Sequence, residues 1–120
     1  MKTYSFEKLI VWRESIEIVK IIYTLTKKFP SDERFGLISQ LRRATVSISS
    51  NIAEGTSRKT NKDKAHFTTI AFSSSMEVIN QIIISKELSF ISENQYIFVR
   101  DKLEKITNML NSLRKSQLNG

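Results

Sequence analysis

Residues 92–113 read SENQYIFVRDKLEKITNMLNSL, and their spacing decides the fold class. Tyr96, Val99, Leu103, Ile106, Leu110 and Leu113 recur by three and four, the step that aligns side chains on one stripe of an α-helix. Arg100, Asp101, Lys102, Glu104 and Lys105 occupy the other side, so this helix has a core face and a solvated face. Ser92 with Gln95 three residues later is a capping-box start.

Three more helical segments precede it. In the first, Leu9, Trp12, Ile16, Val19 and Tyr23 form one stripe, and Ile18, Ile22, Leu25 and Phe29 a second beside it, before Pro30 stops the helix. In the second, Leu37, Ile38, Leu41, Thr45, Ile48 and Ile52 form the core face. Ser31 is its expected N-cap, and Gly55 is expected just past its end in a left-handed conformation. The third follows Asn61, an N-cap candidate, and is apolar on two sides: Phe67, Ile70, Ala71, Val78 and Ile82 on one, Phe72, Met76, Ile79 and Ile83 on the other. Such a helix needs two layers to bury against. The helices are expected at about residues 6–29, 32–55, 62–89 and 93–115, with Ser116–Gly120 frayed. The short links make successive helices antiparallel neighbours, so the expectation is an all-α, up-down-up-down four-helix bundle forming a single domain over residues 1–120.

Composition narrows the function classes. The chain has no Cys, which removes thiolate metal sites and disulfides. His66 is the one histidine, without a metal-ligand or catalytic pattern around it. Ser73, Ser74 and Ser75 lack a neighbouring base and read as small packing residues. No phosphate-binding glycine loop occurs. The expectation is therefore no enzyme, no cofactor and no metal. Neither a signal peptide nor a membrane span is visible, so a cytoplasmic protein with no membrane partner is expected.

The charge is informative. The formal net charge is +7. In an up-down bundle one pole collects Lys2, Lys8, Arg58, Lys59, Lys62, Lys64, Arg114 and Lys115 against Glu7, Glu54 and Asp63, eight cations against three carboxylates. The other pole balances Lys27, Lys28, Arg34 and Lys86 against Asp32, Glu33, Glu87 and Glu93. A one-ended cationic surface suits phosphate backbones, RNA or DNA. The second helix also carries an unusually small polar face, with Gln40, Arg43, Ser47, Ser50, Asn51, Glu54 and Arg58. It reads as a subunit interface or as a surface satisfied by its own hydrogen bonds, such as Arg43 to Ser47.

Residues 29–44, FPSDERFGLISQLRRA, followed by residues 47–55, SISSNIAEG, resemble the 23S rRNA intervening-sequence proteins, a family that includes accessory variability determinants of diversity-generating retroelements. The likeness extends to residues 6–12, FEKLIVW, and to Phe67 with residues 70–77, IAFSSSME. The matching positions are Glu33, Gly36, Gln40, Arg42, Arg43, Ser47, Asn51, Glu54 and Gly55. The resemblance implies a homopentamer with a basic surface, no enzymatic activity, and, for the retroelement branch, a reverse transcriptase and nucleic acid as partners. It makes Arg42 and Arg43 candidates for phosphate or interface contact beside Arg58, Lys59, Lys62, Lys64, Arg114 and Lys115. Gln40, Ser47, Asn51, Glu54 and Gly55 become interface or structural positions. The alternative function is a protein-binding adaptor with an acidic partner and no direct nucleic-acid contact.

Overall fold

A computed structural model describes all residues from Met1 to Gly120. It contains four α-helices: α1 Ile10–Thr26, α2 Leu37–Thr56, α3 Asn61–Glu87 and α4 Glu93–Asn119. Single 3-10 turns stand before α1, at Ser5–Lys8, and before α2, at Ser31–Glu33. Each helix packs on the next, and α1 closes the bundle against α4. Cross-helix contacts fix the directions. Arg43 meets Glu77 while Ser47 meets Ser74, so α2 and α3 run antiparallel.

The apolar stripes meet in one core. Ile18, Ile22, Leu41, Ile48, Ile52, Val78, Ile82, Val99, Leu103, Ile106 and Leu110 are almost completely buried. Burying each such side chain contributes about 1.5–3 kcal/mol relative to leaving it exposed. Hydroxyls sit inside this core without penalty. Thr26, Thr45, Ser75 and Ser85 each donate to the carbonyl four residues earlier, at 2.6–3.0 Å. The side-chain carbonyl of Gln81 is the exception, buried without a partner while its amide donates to Glu77 at 3.2 Å.

The two apolar sides of α3 are met mostly within the chain, because α3 packs on both α2 and α4. Ala71, Val78 and Ile82 lie in the core, and Phe72 and Ile79 pack against it. Met76 and Ile84 remain 41% and 39% exposed. By length and composition α3 could cross a membrane, but here it is the central helix of the bundle.

Helix ends differ from the sequence expectation in several places. The first helix does not run unbroken from Phe6. Leu9 is extended, which folds Phe6 back edge-on against Trp12 at 5.1 Å between ring centroids. In a continuous helix those two rings would sit about 120° apart. The same helix ends at Thr26, and the next bonds tighten to the carbonyls of Leu25 and Thr26, because Pro30 disfavours helical geometry at Phe29. Ser31 does not cap α2. It opens a separate turn, and the Glu33 carboxylate accepts from the Leu37 N–H at 3.2 Å. Thr60, not Asn61, caps α3, accepting from the Asp63 N–H at 3.1 Å. Finally, α4 continues to Asn119, held near its end by a 2.7 Å bond from Thr68 to Gln117. The Ser92–Gln95 capping box forms as expected.

Gly55 is not a left-handed terminator. It lies inside the last turn of α2, is buried, and has an ordinary negative φ. A Cβ there would stand 2.9 Å from the Cβ of Phe67 and 3.3 Å from the Lys64 carbonyl oxygen. The residue is small because α3 passes against it. The left-handed cap occurs instead at Ser89, φ 63°, after α3. Its N–H donates to the Lys86 carbonyl at 2.9 Å and that of Phe90 to the Ser85 carbonyl at 2.8 Å, a complete Schellman ending. Phe90 then packs at a tilt against Phe29, 5.3 Å between ring centroids.

These two positions should respond oppositely to the same exchange. Gly55→Ala, normally a helix-stabilising change, should cost about 1–3 kcal/mol through overpacking. Ser89→Gly should instead stabilise, by about 0.5–1 kcal/mol, because the left-handed geometry no longer opposes a side chain. Urea unfolding of both variants measures the signs.

Candidate functional site

Antiparallel pairing carries the start of α1, the α2–α3 link and the end of α4 to one pole. The 3-10 turn at Ser5–Lys8 touches α2, and Lys8 to Val11 face Asn108, Met109 and Ser112 of α4. Thr68 meets Gln117 across α3 and α4. Arg58 and Lys59 lie in the link, Lys62 and Lys64 in the first turn of α3, and Arg114 and Lys115 in the last turns of α4. The local causes are simple. Cap geometry at Thr60 turns the chain within four residues, from Ser57 to Thr60. Arg58 spreads over the ring of Phe67, 5.0 Å from its centroid, which holds the guanidinium at the surface beside α3. Ser57, Arg58, Lys59, Thr60 and Asp63, all polar residues, surround a recess of about 440 Å³.

Pairing elsewhere sharpens the contrast. The five ion pairs of the protein join Lys20 to Glu17, Arg43 to Glu77, Lys86 to Glu93, Arg100 to Glu104 and Lys105 to Asp101. None of the pole's eight cations takes part. Glu7 at this pole is engaged locally, its carboxylate accepting from the Tyr4 N–H at 2.8 Å.

The structure does not bring Arg42 and Arg43 to this pole. Both sit in the first half of α2 and are engaged. Arg42 donates to the Thr26 hydroxyl at 2.9 Å and stacks over Tyr23 at 4.5 Å, tying α2 to α1. Arg43 pairs with Glu77 at 2.7 Å, not with Ser47. On the small polar face, Ser47 bonds Ser74 across to α3 at 2.9 Å and accepts from the Asn51 amide at 3.0 Å. Ser47, and Gly55 packed on Phe67, serve α2–α3 packing, while Asn51 is tied back to Ser47 on its own helix. Gln40 and Glu54 stay exposed.

No nucleophile–base pair is assembled. His66 is exposed and lies edge-on to Phe67 at 5.6 Å. Ser74 is bonded to Ser47, and Ser75 to the Ala71 carbonyl. No three of His, Asp and Glu converge as a metal site would require. Arg100 has its pKa raised, first by its hydrogen bond to the Tyr96 hydroxyl and then by that to Glu104; it lies in the first half of α4, away from the pole.

Comparison with known proteins adds three findings. The family model described as 23S rRNA-intervening sequence protein matches residues 7–112. No curated protein matches the chain. Among solved structures, a protein of unknown function from the S23 ribosomal protein family of Bacteroides thetaiotaomicron VPI-5482 superposes with a TM-score of 0.82. It is 23% identical, over 88% of this chain and 99% of that one, and so shares the fold.

The engaged arginines should separate by stability. Arg42→Ala should cost about 1–2 kcal/mol, losing a half-buried hydrogen bond and a stacked ring. Arg43→Ala should cost no more than about 1 kcal/mol, since its partner is a surface carboxylate. Thermal or urea unfolding compares the two.

Proposed function

Because the chain belongs to the 23S rRNA-intervening sequence protein family, we propose that it is a non-enzymatic, oligomeric scaffold that binds the phosphate backbone of nucleic acid at its basic pole. One observation carries this reading: Arg58, Lys59, Lys62, Lys64, Arg114 and Lys115 share one end of the bundle and have no ion-pair partner, while five ion pairs form elsewhere. Gathering like charges in this way costs stability through mutual repulsion, and a polyanion relieves that repulsion. Backbone binding of this kind releases counterions and depends steeply on salt.

Oligomerisation is supported by apolar surface that the fold leaves uncovered. Phe35 is 88% exposed, Ile10 65%, Ile97 54% and Phe98 53%. Phe98 borders an apolar groove between α1 and α4 beside Ile21 and Leu25, and a contiguous apolar surface of that kind supports an interaction site. A ring of copies would repeat the basic pole around an axis. A reverse transcriptase is a further partner on the retroelement branch of the family.

Three measurements test the proposal. Changing Arg58, Lys59, Lys62 and Lys64 together to Glu should abolish binding to generic RNA and DNA while the unfolding midpoint stays close to wild type. The unmodified protein should give a linear fall of log affinity with log salt, of slope about −0.7 to −0.9 per neutralised phosphate. Unchanged affinity in the variant, or no salt slope, would favour a protein adaptor with an acidic partner. Light scattering should return a multiple of the 13.9 kDa chain mass, five by family resemblance, and a monomer mass refutes the oligomer.

A further inference from the structure

Beside the pole, on the α3–α4 side, Thr68, Thr69, Phe72, Leu110, Asn111 and Arg114 line a recess of about 210 Å³. Its floor is apolar, with Leu110 buried and Phe72 half-buried. Its rim is polar. The Arg114 Nε donates to the Thr69 hydroxyl at 3.0 Å, which fixes the plane of the guanidinium and leaves its terminal nitrogens without a protein partner. Asn111 is exposed, and its amide makes no hydrogen bond within the protein. The surroundings are free of side-chain carboxylates along both helices. Between Asp63 and Glu77, and again from Lys105 to Gly120, the sequence contains no Asp or Glu. Lys62 and His66 stand two turns and one turn before Thr69 on α3, and Lys115 adjoins Arg114 on α4.

We propose that this recess holds one unpaired purine base of a single-stranded nucleic acid, with Phe72 as the stacking surface and Asn111 and Arg114 reading the base edge. An exposed amide offers one donor and one acceptor, the pattern of an adenine edge, and a planar guanidinium matches guanine O6 and N7. Unpaired bases are the parts of RNA that proteins read, by stacking on aromatic rings and bonding to exposed edges. Base stacking on an aromatic side chain tolerates any base, so preference comes from the rim. The flanking phosphates pass over Lys62, His66 and Lys115. The inference rests on the nucleic-acid reading of the pole and adds to it a source of base preference.

The test is fluorescence anisotropy with three strands of equal length: mixed A and G, mixed C and U, and abasic. The unmodified protein should bind the purine strand roughly fivefold or more tightly than the other two. Asn111→Ala and Arg114→Lys should each reduce that preference to near unity while leaving the salt slope unchanged, since neither changes the net charge. Phe72→Leu, which keeps apolar bulk, should weaken purine and pyrimidine strands alike toward the abasic value. Equal affinity for all three strands, or a purine preference that survives both rim variants, overturns the purine recess and leaves the basic pole standing. Absence of binding to every strand at low salt overturns both.

Discussion

The approach of α2 to α3 at Gly55 is the contact on which the rest of the molecule depends. Only a residue without a Cβ fits there, 2.9 Å from where Phe67 begins its side chain. That closeness lets Ser47 reach Ser74 and Arg43 reach Glu77 higher on the same pair of helices. It also makes a four-residue link sufficient between α2 and α3. A short link capped by Thr60 sets Arg58 and Lys59 close to Lys62 and Lys64 in the first turn of α3. The packing constraint and the charge cluster thus have one cause. Phe67 serves both, with its Cβ against Gly55 and its ring under Arg58.

Charge is distributed by the same logic of reach. Carboxylates lie a turn away from cations along the solvated sides of α1 and α4, and they pair. At the pole the acids are few and placed otherwise. Glu7 bonds backbone, and Asp63 sits in the first turn of α3, where a negative charge suits the helix dipole. The cations there face water. None of the protein's five ion pairs reaches this end.

Much of the fold was legible because it depends on short-range spacing. The four apolar stripes, the Ser92–Gln95 box and the Pro30 stop are local patterns, and each is present. The misreadings also have a common cause. Ser31, Asn61 and Gly55 are residue types that favour helix ends, yet each position was settled by a neighbour: Glu33 reaching Leu37, Thr60 reaching Asp63, Phe67 crowding Gly55. No residue type marks Ser89 as a left-handed cap, a place usually taken by Gly, and the neighbouring Phe90 docks on Phe29 only in the folded chain. Of the candidate site, the basic pole was readable once antiparallel order was assumed. The structural employment of Arg42 was not, because its partners, Thr26 and Tyr23, lie on another helix.

What the sequence determined by itself is therefore the number of helices, their order, the family and the surplus of charge. These follow from composition and from periodicities shorter than ten residues. Tertiary structure alone decided which polar groups were already spent. It engaged Arg42, Arg43 and Ser47 with other helices and Asn51 with Ser47 on its own helix, left the pole's cations without ion pairs, and joined Phe72 to Asn111 and Arg114 in one recess. The physical reason is distance: hydrogen bonds and ion pairs act within a few ångströms, and only the folded chain brings residues dozens of positions apart to that range.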